Sequence, residues 1–245
     1  MSVFLYILLF FAVTFASIFS ALFGLAGGTM ILAVLTWTLG IKNAVPLHSA
    51  VQFVGNIARL GVYYKLVVWK IVAYFIILTL PGAYLGGLCI DFLNEKWLEL
   101  LVGVFILLTI IMPKPHFKNG IRYEVFTLLG FLGSFLGMIV AVSGPFIASF
   151  FILNNIKKEE MIATKSVCQG ITQITKLIIF ASVVQFSFDK FSLLLIVLSF
   201  AAIIGTLIGR YLIEKINEKT YNLLNNWLLA TIAILMITTA LIKIV

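Results

Sequence analysis

The chain has 245 residues, of which 62% are apolar and only 11% are charged, and its formal net charge is +8. A soluble domain contains roughly 25% charged residues, and a soluble fold of this size buries only about 70–75% of its surface. If this chain folded as a soluble protein, it would therefore expose far too much apolar surface to water. This excludes soluble enzymes, nucleic-acid binders, secreted disulfide scaffolds and disordered chains, and it predicts a polytopic membrane protein.

Hydrophobic segments follow one another along the whole chain. About 20 apolar residues span a bilayer as an α-helix, and this measure places segments at 4–23, 29–39, 46–64, 69–90, 97–112, 122–136, 145–153, 160–184, 190–212 and 221–243. No basic stretch precedes the first segment, so we expect a retained helix rather than a cleaved signal peptide. The segments predict an all-α, multi-pass protein of the cell (plasma) membrane, in a bacterium the inner membrane, with about eight transmembrane helices.

Two of these segments, 29–39 and 145–153, are too short to cross alone. The first follows Gly24-Leu25-Ala26-Gly27-Gly28, and the second begins within Ser143-Gly144-Pro145. Glycine costs about 1 kcal/mol and proline about 3 kcal/mol inside a helix. The sequence therefore predicts a broken helix near the start of each half of the chain.

The two halves match each other. At an offset of 117 residues, a set of polar positions in the first half falls on polar positions in the second; the pairs are His48 with Lys165, Ser49 with Ser166, Gln52 with Gln169, Asn56 with Gln173, and Arg59 with Lys176. At an offset of 123, Gly82-x-x-x-Gly86 falls on Gly205-x-x-x-Gly209, a spacing that allows close helix packing. We expect two repeats of about four hydrophobic helices at 1–113 and 122–245, joined by a basic loop at 114–121.

Basic residues decide between two topologies. If each break is a kink in one span, the repeats are parallel and the loop Lys and Arg residues divide seven to seven between the two faces. If each break is a hairpin, the repeats are inverted and the division is ten to four, the smaller group being Lys42, Lys96, Lys190 and Lys243. The uneven division favours inverted repeats, with the loop that contains Lys114 and Arg122 in the cytoplasm and both termini outside.

These features resemble the sulfite exporter TauE/SafE family, also called the 4-toluene sulfonate uptake permease family. The family pattern Gly-Leu-Gly-Gly-Gly reads Gly24-Leu25-Ala26-Gly27-Gly28 here, and its Gly-Gly-Gly-Pro reads Val142-Ser143-Gly144-Pro145, so Ala26, Val142 and Ser143 depart from it. The resemblance covers nearly the whole chain. It implies a transporter of sulfur-containing anions such as sulfite and organosulfonates, and not an enzyme.

Two polar stripes run along the segments that follow the breaks. Ser49, Gln52, Asn56 and Arg59 recur every three or four residues, and so do Ser166, Gln169, Gln173 and Lys176. Each set therefore lies on one helix face, which predicts a polar cavity lined by both sets. The alternative is interhelical hydrogen bonding across a dry interface, worth about 0.6 kcal/mol per contact.

Arg59 and Lys176 stand inside hydrophobic segments, and all nine acidic residues lie at or near segment ends. An intramembrane cation is costly and marks a functional site by default. Two such cations at equivalent repeat positions predict an anion site. The alternatives are that both side chains reach the interface or pair with backbone carbonyls. His48 is a candidate for proton coupling, against the commoner role of a structural histidine.

The glycine breaks supply further candidate ligands. A helix that starts after Gly27 and Gly28 presents free N–H groups and the positive end of its dipole, with the Thr29 hydroxyl beside them. Ser143 and Gly144 offer the same arrangement at the second break. The alternative is that these glycines only permit close packing.

The sequence thus predicts a secondary transporter, and in particular an exporter, of sulfite, an organosulfonate or a related small anion. An anion channel and an intramembrane thiol–disulfide relay through Cys89 and Cys168 are the alternatives. No catalytic residues, cofactor or metal site are predicted. The expected partners are the anionic substrate and the lipid bilayer, with no nucleic acid, and a homodimer is left open.

Overall fold

The computed structural model describes residues 3–23, 26–90, 92–111, 122–141, 158–212 and 233–242, together with Gly144, Ile147, Trp227, Ala230 and Thr231. Within these ranges every regular element is a helix, which confirms the all-α prediction. Most of the predicted segment 145–153, the start of 221–243 and the central loop 114–121 lie outside the described residues.

The helices follow the predicted segments closely. They are α1 (Val3–Phe23), α2 (Ala26–Leu39), α3 (Ile41–Tyr63), α4 (Trp69–Ile77), α5 (Thr79–Ile90), α6 (Glu95–Ile111), α7 (Val125–Val140), α8 (Lys158–Ser182), α9 (Ser192–Leu212) and α10 (Ala233–Ile242). Short 3-10 turns at Tyr64–Leu66 and Phe188–Phe191 follow α3 and precede α9. The duplication into two repeats stays a prediction.

The start of α3 differs from the sequence prediction. The helix begins at Ile41 rather than 46, and Pro46 lies inside it. Gly40, with a φ of 76°, turns the chain between α2 and α3, and its carbonyl accepts a hydrogen bond from the Ala44 amide at 2.9 Å. A left-handed φ suits glycine, so the turn at Gly40 starts the helix before the proline is reached.

The predicted segment 69–90 is two helices. Helices α4 and α5 meet at Leu78 with a bend of 43°. Pro81 lies in the first turn of α5, where its ring lacks an N–H and would clash with the carbonyl four residues earlier, that of Ile77. The proline therefore explains why α4 ends at Ile77 and why the span bends there.

Long apolar side chains cover the outside of the helices. On α9, Leu193 and Phe200 are each 60% exposed, whereas Gly205, Thr206 and Gly209 are buried. A soluble protein does not expose such continuous apolar surface, so this face suits lipid. Helices α1 and α9 are long and apolar enough to cross a membrane, and α4 with α5 forms a third, bent candidate. These findings agree with a multi-pass membrane protein.

Both predicted glycine pairs lie where helices approach closely, as predicted. A Cβ atom at Gly82 would collide with the backbone of Phe131 on α7, and one at Gly205 would collide with the backbone of Thr14 on α1. Gly86 and Gly209 face the same two partners one turn further on, at Phe135 and Ile18. The glycine helix of each half of the chain thus packs on the first helix of the other half.

Helices α3 and α8 pack against each other in opposite directions. Near the end of α3, the Val68 amide donates a hydrogen bond to Thr164 Oγ1, close to the start of α8, at 2.9 Å. Midway, Gly170 faces Asn56, since an added Cβ would lie 3.8 Å from Asn56 Cβ. At the start of α3, Val45 lines one cavity together with Phe180, near the end of α8.

The described basic residues divide between the two ends of this helix pair. Lys42 and Lys190 line a cavity of about 330 Å³ at the start of α3. At the other end, the Lys70 ammonium lies 4.3 Å from the centroid of the Tyr123 ring, beside Arg122, and α8 begins at Lys158. Parallel repeats require Lys42 and Lys190 on opposite faces, so this arrangement agrees with the hairpin interpretation.

Candidate functional site

The polar faces of α3 and α8 are turned towards the protein interior. Of the predicted stripe residues, all are buried except Gln169, which is half-buried; the buried ones are Ser49, Gln52, Asn56, Arg59, Ser166, Gln173 and Lys176. His48 and Lys165 are buried as well, at 2% and 7% exposure. Irregular or polar surface at membrane depth is tolerated only inside the protein or along a cavity, so both helices meet that condition.

The antiparallel register brings basic residues together across the interface. Because Gly170 faces Asn56, Arg59, three residues after Asn56, comes within one helical turn of the level of Lys165, five residues before Gly170. In the other direction, His48, eight residues before Asn56, comes within one turn of the level of Lys176, six residues after Gly170. Lys165 lies within electrostatic range of Arg59, and His48 within range of Lys176. Each pair joins one residue of α3 and one of α8.

Arg59 is held by hydrogen bonds within the protein. Its Nη1 donates to the carbonyl and to the hydroxyl of Ser20, both at 2.9 Å. Its Nη2 donates to Asn56 Oδ1 at 2.8 Å, and its Nε donates to the Gly55 carbonyl at 3.2 Å. The side chain is only 7% exposed, so it does not reach the interface. Pairing with backbone carbonyls, one of the sequence-based alternatives, is the observed arrangement.

Lys176 makes a weaker contact at the end of α7. Its Nζ donates to the Ala141 carbonyl at 3.4 Å, and the residue is completely buried. Ala141 ends α7 with a φ of 58°, a left-handed conformation that costs an alanine roughly 1–2 kcal/mol. Backbone strain of this kind concentrates at functional sites. Here the strained residue at the start of the second break presents its carbonyl to the basic side chain.

The first glycine break meets α3 at His48 and Gln52. A Cβ atom at Gly28 would collide with Gln52 Nε2 and would lie 3.7 Å from His48 Nε2. Gly27 packs against the backbone of Ser20, and Thr29 is buried. The first turn of α2 therefore borders these two side chains at Gly28. Gly27 therefore permits close packing, whereas Gly28 adjoins the polar face, where a ligand role for it stays a prediction.

Three polar atoms in this region have no hydrogen-bond partner among the described residues. They are both ring nitrogens of His48 and Oε1 of Gln173. A buried polar group without a partner costs about 1–3 kcal/mol. Because α3 begins at Ile41, His48 lies about two turns inside the helix. Gln173 is one turn from Lys176, so the three atoms cluster around the His48–Lys176 pair, where a polar ligand would satisfy them.

The chain matches the sulfite exporter TauE/SafE family over residues 9–236. The chain belongs to this family. It is also 28% identical over 143 residues to a protein of Methanocaldococcus jannaschii described as a "probable membrane transporter protein". That match covers 52% of this chain and 54% of the relative, so the chain spans about half the length of the curated relative it matches. No solved structure matches the chain. TauE/SafE membership favours a membrane transporter over an enzyme.

The structure gives less support to a ligand role for the other residues predicted to bind substrate in this TauE/SafE protein. Ser49 Oγ donates to the Val45 carbonyl of its own helix at 2.9 Å, which satisfies it locally. Gly144 is helical and half-buried, and Ser143 lies outside the described residues. Lys165 was not among the residues predicted to bind substrate. Its match to His48 in the repeat alignment is the signal that points to it.

The two thiols of this family member lie in different parts of the fold. Cys168 belongs to a buried cluster with Val72 and Phe75 of α4, whereas Cys89 is at the end of α5. At a helical rise of about 1.5 Å per residue, Cys89 lies roughly 20 Å beyond Phe75. A disulfide requires Cα atoms within about 7 Å, so the arrangement disfavours a relay. Within the described residues, no group of three His, Cys, Asp or Glu could hold a metal ion.

Proposed function

We propose that this TauE/SafE protein is a secondary transporter that exports a small anion, namely sulfite, an organosulfonate or a related sulfur-containing anion. The observation that carries the proposal is that two basic residues, His48 and Lys176, are buried at similar levels of the α3–α8 interface. We name this region, with Gln52 and the first turn of α2 from Gly28, the central site.

Electrostatics supports an anion as its ligand. In the described part of the chain, no carboxylate forms an ion pair with Lys176 or Arg59. At an effective dielectric constant of about 20, a unit anion 4 Å from one cation gains about 4 kcal/mol before desolvation costs. The N-terminus of α2 adds backbone donors and a favourable dipole. Helix ends that face an anionic substrate near the midplane are a known feature of transporters.

The chemistry of the central site also suits an oxyanion. Lys176 uses one long hydrogen bond, to Ala141, so its other N–H groups can meet a ligand. Histidine offers a donor, and the Gln52 amide nitrogen lies beside Gly28. Several donors around one position match the oxygens of a sulfite or sulfonate group. His48 remains our candidate for proton coupling, because it is a buried imidazole on the polar face of α3 and adjoins Gly28 at the first break.

Inverted repeats in the plasma membrane form part of the proposal. The shared cavity of Lys42 and Lys190 supports the inversion, as does the reciprocal packing of Gly82 on α7 and Gly205 on α1. We place the end with Lys70 and Arg122 in the cytoplasm, following the positive-inside rule. With single cysteines in a Cys89→Ser/Cys168→Ser background, an impermeant maleimide should label Lys190→Cys in intact cells but not Lys65→Cys. Labelling of Lys65→Cys alone would reverse the orientation.

Flux into proteoliposomes tests the function. We expect saturable transport of sulfite, with competition by organosulfonates such as taurine and sulfoacetate, and driven accumulation against a gradient. Lys176→Gln should lower the apparent affinity at least about tenfold, whereas Lys65→Gln, an exposed lysine at one end, should leave it unchanged. Flux that never accumulates substrate would indicate the channel instead. Loss of flux on replacing both cysteines would indicate the relay.

A further inference from the structure

A second pair of basic residues lies along the same helix interface. Lys165 and Arg59 are each 7% exposed, and the register of α3 on α8 brings them to within one helical turn of the same level. They are separated from His48 and Lys176 by the same eleven residues on each helix. Eleven residues are three helical turns, about 16 Å, so both pairs lie on the same face at different depths. The hydrocarbon layer is about 30 Å thick, so both pairs fit within its thickness at different depths.

The repeat alignment predicts this crossed arrangement. At the offset of 117, His48 corresponds to Lys165 and Arg59 to Lys176. The antiparallel register then pairs His48 with the equivalent of Arg59, and Arg59 with the equivalent of His48. The second pair is therefore the counterpart of the first under a pseudo-twofold relation between the halves. A site built at one pair implies the same kind of site at the other.

The chemistry of the second pair favours anion binding. Two buried basic groups repel each other when both carry protons, and an anion between them favours the charged forms. Arg59 is held in place by Ser20 and Asn56, so its charge is fixed in position rather than mobile. Between the two pairs lie the amides of Gln52 and Gln173, both buried. Polar groups thus continue from one pair to the other.

We propose that Arg59 and Lys165 form a second anion-binding station, on the cytoplasmic side of the central site. This inference rests on the proposed function and extends it. An anion that enters from the Lys70 end meets the Arg59–Lys165 station first and then passes the amides to reach His48 and Lys176. The transporter accordingly holds up to two oxyanions at once, and repulsion between them promotes release from the outer position.

Binding stoichiometry tests this arrangement. Purified protein in nanodiscs is titrated with radiolabelled sulfite, and the number bound per chain is measured at equilibrium. We expect two per chain for the wild type. Lys165→Met, which keeps most of the side-chain volume but removes the charge, should weaken one sulfite at least about thirtyfold and leave the other bound at least as tightly as in the wild type, since its repelling neighbour is gone. Lys65→Met, an exposed lysine at the same end, is the matched control and should retain two.

Two further variants separate binding from folding. Lys165→Arg keeps the charge and should restore the second sulfite, and every variant is first checked for a wild-type melting temperature. If Lys165→Met does not fold, Lys165→Gln replaces it. One sulfite per wild-type chain, or two in every Lys165 variant, would overturn the second station while leaving the proposed function intact. A wild type that binds no sulfite would overturn the substrate assignment and this inference together.

Discussion

The helix pair α1–α9 and the helix pair α3–α8 solve membrane packing in opposite ways. In the first, Gly205 and Gly209 let α9 approach the backbone of α1, and long apolar side chains face outward. In the second, buried polar residues face one another and basic groups lie opposite each other. Close packing stabilises the first pair. The second pair leaves buried polar atoms without partners, which costs stability, and this contrast is why we propose it as the ligand-binding part.

Hydropathy alone recognises only one of these pairs. Helices α1 and α9 meet the criterion for a membrane span, whereas α3 and α8 do not, although they have 23 and 25 residues. The reason is that the polar stripes of α3 and α8 lower the mean hydropathy of both helices. These stripes are tolerated in a membrane protein because they are buried inside the protein. In this chain the segments least like membrane spans are therefore the ones that carry the candidate site.

The largest effect should come from breaking the close-packed pair. Gly205→Val places side-chain atoms against the backbone of Thr14, where no flexible side chain can yield. Overpacking costs about 1–3 kcal/mol, and a backbone collision belongs at the upper end or beyond. We expect a marked loss of folded protein, measured by size-exclusion chromatography and thermal unfolding. The lipid-facing control Ile204→Val should behave like the wild type, and equal stability of the two variants would contradict the packing argument.

Removal of the Arg59 charge should affect both stability and binding. Arg59→Gln deletes donors to Ser20 and Asn56 and leaves buried acceptors unsatisfied, at about 1–3 kcal/mol. Lys176→Gln loses a single long bond, so its unfolding free energy should change less while sulfite affinity falls. Chemical unfolding and sulfite binding measured on both variants separate the two roles. Equal stability losses would show that Lys176 is as strongly anchored as Arg59.

A methyl group at the first glycine break should impair the central site with little change in the fold. In Gly28→Ala the new Cβ meets the end of the Gln52 side chain, which must move away. We expect apparent sulfite affinity to fall by about tenfold, the equivalent of about 1.4 kcal/mol. Gly61→Ala is the matched control, since no atom lies within 4 Å of its added Cβ. Unchanged transport in Gly28→Ala would show that the N-terminus of α2 is not part of the central site.

The smallest effect is expected at Ser49. Its hydroxyl donates to the carbonyl of Val45 within α3, so Ser49→Ala removes a local hydrogen bond and leaves the facing helix untouched. We expect unfolding free energy to change by less than about 1 kcal/mol and flux to remain near that of the wild type. A large loss of sulfite transport in Ser49→Ala would show that this hydroxyl contacts substrate.

Much of the site could be predicted from sequence because helical periodicity is local. The spacing of Gln52, Asn56 and Arg59 places them on one face whatever the rest of the chain does, and the structure buries that face. The start of α3 could not be predicted in the same way, because the hydrophobic segment begins at 46 whereas the helix begins at Ile41. The local sequence does not reveal that Gly40 turns the chain first.

The sequence by itself determined that the chain lies in a membrane, where its helices run, and which residues form its polar stripes. These properties follow from composition and from the 3.6-residue period. Only the tertiary structure decided that the polar faces of α3 and α8 pack on each other, that Arg59 donates hydrogen bonds to Ser20, and that the Ala141 carbonyl turns towards Lys176. Such contacts depend on the register of two antiparallel helices far apart in sequence. That register is set by the packing of the two helix faces on each other and on their neighbours, and no local pattern encodes it.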